Sequence, residues 1–152
     1  MKVYKLSFRD KSEWDAVKST FLIADEDGNY PTQMTSTQRT EYGNVTVVEL
    51  GYLEKTRYVA EHTDIDGNII PEQPATYYDN YSVDVFSEHE LPLNDYLLKT
   101  IPSSYKHSFG SGEIVMPTPT DTWLKAEIHA YLTSNGIEWT AEMTKAELLS
   151  LC

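Results

Sequence analysis

His62, Asp64 and Asp66 alternate along the chain, so on an extended strand they would share one face and offer an imidazole and two carboxylates to a divalent cation. No neighbouring motif adds to this triplet. The stretches Asp25-Glu26-Asp27-Gly28-Asn29 and Asp64-Ile65-Asp66-Gly67-Asn68 echo each other and invite a calcium reading. An EF-hand loop, however, needs glycine at its sixth position and glutamate at its twelfth. Here glycine falls fourth, and Ser36 or Ala75 stands twelfth. Asp-Gly and Gly-Asn are turn-forming pairs, so both stretches are expected to be turns. His89 lies between Glu88 and Glu90, an acidic loop, while His107 and His129 stand alone. No nucleophile and base pair up, no glycine-rich phosphate loop appears, and there is no CxxC. No catalytic residue, metal or cofactor is therefore assigned, and the expectation is a protein that is not an enzyme.

Contact chemistry is better represented. Eleven tyrosines are present, and Tyr77, Tyr78 and Tyr81 gather around Asp79 and Asn80. Tyrosine joins a large apolar area to a polar tip and is enriched at protein interfaces. Trp123, Trp139, Lys125 and Lys145 complete the set of candidate interaction residues.

The elements that must position these side chains follow from periodicity. Val3 to Phe8 alternates, with Tyr4, Leu6 and Phe8 on one side and Lys5 and Ser7 on the other, which predicts a half-buried strand. Ser12-x-x-Asp15 resembles a capping box. It would open a helix with Trp14, Val17, Lys18 and Phe21 on one face, closing near Leu22 or Ile23. Residues 25 to 43 are polar and predict an exposed loop with at most a short strand. Val45 to Leu53 is β-branched and apolar, broken only by Gly51. Arg57 to Glu61 with Asn68 to Ile70 predicts one further strand or a pair, and Tyr81 to Phe86 another, with Tyr81, Val83 and Phe86 interrupted by Asp84. A short helix is expected around Asn94 to Thr100, ending before Pro102. The sum is an α+β domain over residues 1–116 with a mainly antiparallel sheet and one or two helices. Pro117-Thr118-Pro119-Thr120 then predicts a stiff linker over 117–121.

Residues 122–152 are expected to form a helical hairpin. Leu124, Ile128, Tyr131 and Leu132 make one stripe of a helix, and Asn135-Gly136 stops it, with Ile137 placed for a Schellman contact. Thr144-Lys145-Ala146-Glu147 is a capping box, with Met143 positioned to staple onto Leu148. Leu148, Leu149 and Leu151 supply its apolar face. The pattern Lys125-Ala126-Glu127-Ile128-x-x-Tyr131-Leu132-x-x-x-Gly136-Ile137, followed by Thr144-Lys145-Ala146-Glu147-Leu148-Leu149, resembles the HeH/LEM/SAP-like helix-extension-helix family. That resemblance covers about a quarter of the chain. It implies a small module often associated with nucleic acid and often appended to bacteriophage or prophage proteins. The first domain has a strand-helix start, Val47-Val48-Glu49-Leu50-Gly51, Tyr81-Ser82-Val83-Asp84-Val85 and His107-Ser108-Phe109-Gly110. In these it resembles small proteins of bacteriophage structural gene clusters, which implies a virion or assembly role and carries no catalytic residue.

Charge decides between the partners these resemblances imply. Affinity for a phosphate backbone comes from lysine and arginine. Residues 117–152 hold two basic and five acidic residues, a net of −3 within a chain of −12. Such a field opposes nucleic acid and anionic membrane and favours a basic partner. No apolar run is long enough to span a bilayer, Met1 to Asp10 lacks a signal-peptide core, and the single Cys152 permits no internal disulfide, consistent with a reducing compartment. The expected function is a non-enzymatic bacteriophage or prophage virion structural or assembly protein, oligomeric and acting through protein contacts. Its expected location is the host cytoplasm during assembly, then the virion. The alternatives are a nucleic-acid-associated accessory protein using the C-terminal module, or an acidic decoy for a basic host protein.

Overall fold

The structure is a computed structural model that describes residues 1–31, 35–99 and 112–152. His107, the His107–Gly110 motif, Thr100 and Pro102 lie outside the described residues. The chain divides into two compact units, Met1–Met116 and Pro117–Cys152.

The first unit is α+β. A five-stranded sheet has the order β2-β3-β6-β1-β7, formed by β1 (Lys2–Phe8), β2 (Thr35–Thr40), β3 (Gly43–Thr56), β6 (Thr76–Ser87) and β7 (Glu113–Ile114). Every pairing is antiparallel except the short parallel contact of β1 with β7. Two further short strands, β4 (His62–Thr63) and β5 (Ile69–Ile70), pair with each other inside the β3–β6 connection.

One face of the sheet carries the main core. Tyr4, Leu6 and Phe8 of β1, Val45 and Val47 of β3, and Tyr81, Val83 and Val85 of β6 pack against helix α1 (Lys11–Lys18), Phe21, Leu22 and the segment holding Leu91, Leu93 and Leu97. Phe8 sits 5.3 Å from Trp14 and 5.0 Å from Tyr96, ring centre to ring centre. Helix α1 is capped by Asp10, whose carboxylate accepts from the Glu13 N–H at 2.9 Å while Glu13 accepts from the Arg9 N–H. Ser12 lies inside the first turn and is not the cap, and the helix stops at Lys18, short of Leu22. The Lys18 stem runs to the surface, where its ammonium meets Asp15 at 2.6 Å.

The opposite face is not solvated, contrary to the half-buried expectation for β1. Val3, Val48 and Phe86 form a second buried cluster. Lys5 and Asp84 lie opposite each other in the β1–β6 register and form an ion pair, at 4% and 0% exposure. Burying a lysine demands such a partner, because an unpaired charge in the interior is strongly unfavourable. Phe86 therefore belongs to the other face from Tyr81 and Val83.

Three further elements depart from expectation. β2 is a full strand of threonine, serine, glutamine and arginine, paired from Thr35↔Val48 to Thr40↔Gly43. Its alternating exposed and half-buried residues lack the apolar signal of a strand, yet Gly43, at φ +79°, closes a two-residue turn that fixes the hairpin. β6 begins at Thr76, five residues before the apolar run at Tyr81. The expected helix near Asn94 is a single 3-10 turn, Asn94–Tyr96.

The second unit holds two short helices, α2 (Lys125–Ser134) and α3 (Lys145–Leu149). Its core is Trp123, Ile128, Leu132 and Leu148, edged by Tyr131, Ile137, Trp139, Met143, Leu149 and Leu151. Leu124 is the residue before α2 and is 69% exposed, so it is not part of the buried stripe. Gly136 has φ +68°, the Ile137 N–H donates to the Leu132 carbonyl at 2.9 Å, and the Gly136 N–H to the Thr133 carbonyl at 3.1 Å. These two bonds are the Schellman pair that satisfies the last carbonyls of α2. Thr144 caps α3, accepting from the Glu147 N–H at 3.3 Å while Glu147 accepts from the Thr144 N–H at 2.7 Å. The Thr144 N–H, and with it the Thr144 hydroxyl at 2.8 Å, donate to the Glu147 carboxylate and hold it below its usual range.

Candidate functional site

The region with surface chemistry to offer is the ribbon made by the distal halves of β3 and β6, with the β4–β5 excursion between them. Among the described residues, no strand pairs with β3 beyond Val48 on its outer side, and β1 pairs with β6 only from Tyr81 onward. Residues 54 to 63 and 76 to 80 are exposed throughout. A two-stranded ribbon in water is marginal by itself, since it has no core to bury. This one nevertheless displays Tyr52, Tyr58, Ile65, Ile69, Tyr77 and Tyr78, with Ile65 wholly exposed at a turn tip and Ile69 71% exposed. Of these, Tyr52, Tyr77 and Tyr78 come together at one pocket.

Its geometry is set by irregular pairing. Gly51, at φ +71°, occupies a bulge: Glu49 pairs with Val83, but Gly51 pairs with Ser82 and Tyr52 with Tyr81. The extra residue shifts the alternation of β3, so Tyr52 joins Glu49 on the face of Tyr81 instead of opposing it. Tyr52 and Tyr81 rings meet edge to face at 5.4 Å. A second irregularity sets Glu54 opposite Tyr77, so that Tyr78, Asp79 and Asn80 of β6 all stand opposite Leu53 of β3. Tyr52, Tyr77, Tyr78 and Asp79 together line an open pocket of about 510 Å³.

The tyrosines therefore divide. Tyr77 and Tyr78 are exposed, whereas Tyr81 is core, 7% exposed, with its hydroxyl donating to Glu49 at 2.7 Å. Burial first, and then the Glu49 carboxylate, push its phenol well above the ordinary tyrosine value. Tyr52 takes the place at the pocket that Tyr81 does not fill. The sequence signal for it was Gly51, a glycine interrupting a strand.

The two echoing aspartate loops are turns. Asp25 and Asp64 each accept from two backbone N–H groups further along, and Gly28 and Gly67 have positive φ. Asp64 also receives the Asn68 side-chain amide at 3.0 Å, and these bonds hold its carboxyl below the usual range. Its oxygens thus serve the turn, and His62 Nδ1 lies 3.0 Å from the Ala60 carbonyl. Among the described residues, no three of His, Cys, Asp and Glu converge as a metal site. The carboxylates flanking His89 are engaged elsewhere, Glu88 with Asn44 and Glu90 with Lys2.

In the second unit the candidate contact residues are largely committed internally. Trp123 is 6% exposed and meets Tyr131 edge to face, so it is a core residue. Trp139 stacks on His129 at 3.8 Å and donates to Thr133 at 2.9 Å. Lys125 donates to the Ala141 carbonyl at 3.2 Å, and Lys145 to the Asp121 carbonyl. Both ammonium groups tie loops of their own unit. An open pocket lined by Thr133, Ile137, Trp139 and Met143 adjoins this stack.

Among the described residues, no helix is long and apolar enough to cross a membrane. The chain matches no protein-family model, no curated protein and no solved structure.

Proposed function

We propose that this chain is a non-enzymatic structural or assembly protein of a bacteriophage or prophage particle, and that it works through protein contacts. The ribbon of residues 51–80 carries this reading. It exposes tyrosine and isoleucine side chains with little core beneath them, an arrangement stable in use when a partner covers it. The particle setting comes from the likeness of the first unit to small proteins of phage structural gene clusters.

The C-terminal unit is, in this proposal, a HeH/SAP-like helical hairpin that docks on protein. The Schellman stop at Gly136 and the Thr144–Glu147 capping box support the family likeness. Protein is favoured over nucleic acid because the unit carries −3 and its two lysines are bonded to its own carbonyls.

Density-gradient purification of particles from the encoding strain, followed by detection of this chain, tests the role. Copurification at fixed stoichiometry is expected, and Ile65→Asp with Tyr77→Ser should reduce it. Particles of normal composition that lack the chain would refute the reading.

A further inference from the structure

We infer that the pocket of Tyr52, Tyr77, Tyr78 and Asp79 is a binding site for a cationic side chain, an arginine guanidinium, presented by a basic partner protein. This rests on the contact reading above and names the chemistry of the partner.

Three observations carry it. Three tyrosines line the pocket, and a guanidinium is held by the negative faces of tyrosine rings and stacks flat upon them. Asp79 lines the same pocket. Among the described residues it has no hydrogen bond or ion pair, whereas Glu49, Asp64, Glu88 and Glu90 are all engaged. A carboxylate beside an aromatic face is a complete arginine receptor, the ring taking the plane and the oxygens taking the N–H fork. Finally, one of these tyrosines already meets a cation, because the Lys55 ammonium lies over the Tyr78 ring, 6.0 Å from its centre.

Charge selects the occupant. Residues 49–81 hold seven acidic residues against Lys55 and Arg57. Two copies of this surface would repel, whereas a basic surface would be drawn to it. Arginine is preferred to lysine because the compact, strongly hydrated ammonium neither stacks nor forks.

The test is titration of the full chain with acetyl-Gly-Arg-Gly-amide, followed through the tyrosine ring signals by NMR at physiological salt. Matched peptides carrying lysine or glutamine serve as comparison. The arginine peptide should shift the Tyr52, Tyr77 and Tyr78 rings saturably, the lysine peptide less, and the glutamine peptide not at all. Tyr77→Leu with Tyr78→Leu keeps the charge and removes two faces, and it should weaken binding roughly five-fold or more. Asp79→Asn should weaken it too. Lys55→Gln removes the resident cation and should tighten it. The Val83 and Val85 methyl signals report that each variant retains its fold. Equal binding of the arginine and glutamine peptides, or indifference to the tyrosine substitutions, would overturn the site. If the free chain sediments as a dimer that Tyr77→Ser dissolves, a second copy occupies the pocket and the inference is likewise overturned. Failure of peptide binding while Ile65→Asp still blocks particle incorporation would overturn this site alone. The reverse result would overturn the particle role and leave the site standing.

Discussion

The Tyr81 hydroxyl donates to the Glu49 carboxylate at 2.7 Å across β3 and β6, at the point where the sheet core gives way to the exposed ribbon. Tyr81 closes the core, and Tyr52, leaning on it, begins the contact surface.

That bond has a pH signature. The Tyr81 pKa is raised in the folded state, so its contribution is fully present below the ordinary tyrosine value of 10.0 and is lost as pH rises through the folded value. Stability should therefore fall on the alkaline side, and Tyr81→Phe should remove part of that fall. At neutral pH Tyr81→Phe should cost about 1 kcal/mol, because half-exposed Glu49 can rehydrate. Urea denaturation at pH 7 and above 10 compares the two.

Lys5 and Asp84 supply a second prediction. Removing one partner takes the counter-charge from a buried group, so Lys5→Met or Asp84→Asn should each destabilise by about 3–5 kcal/mol. Lys5→Met with Asp84→Leu should cost much less than the sum. A double-mutant cycle by chemical denaturation provides the number.

In the second unit, Thr144→Ala should cost about 1 kcal/mol through loss of the cap. Gly136→Val should cost about 1–2 kcal/mol from positive φ alone, since an added Cβ there meets nothing within 4 Å. Glu147 has a lowered pKa, so its share of the capping box is present above its ordinary value of 4.5 and is lost as pH falls through the folded value. Amide exchange in Lys145–Leu149 should rise over that acid window, and Glu147→Gln should flatten the rise.

Gly51→Ala should cost about 1–2 kcal/mol for the same backbone reason, with no steric clash, because its Cβ would meet Tyr81 at an ordinary 3.9 Å. If the bulge relaxes to regular pairing, Tyr52 turns to the other face. Loss of the Tyr52–Tyr81 cross-peak would show it.

These sites also mark how much was legible beforehand. The Gly136 stop and the Thr144–Glu147 box were readable because caps depend on residues three or four apart. β1 is legible from apolar alternation, β3 from its β-branched apolar run, and the α+β class from the order of strand, helix and further strands. β2 is legible only as a short strand allowed within a polar loop, because Thr35–Thr40 pairs through backbone and a turn, with no apolar residue to announce it. Lys5 looked solvent-facing until its partner appeared 79 residues away. The pocket was half legible: Tyr77 and Tyr78 were evident as candidates, but Tyr52 replaced Tyr81 only through a bulge that pattern counting does not resolve.

In the proposed role residues 51–80 form the contact surface. Hydrogen exchange measured on the free chain and on the chain within purified particles tests it most directly. The ribbon amides should exchange rapidly in the free chain and become strongly protected in the particle, with the sheet core unchanged. Equal exchange of residues 51–80 in both states, with protection elsewhere, would place the contact surface on another part of the chain.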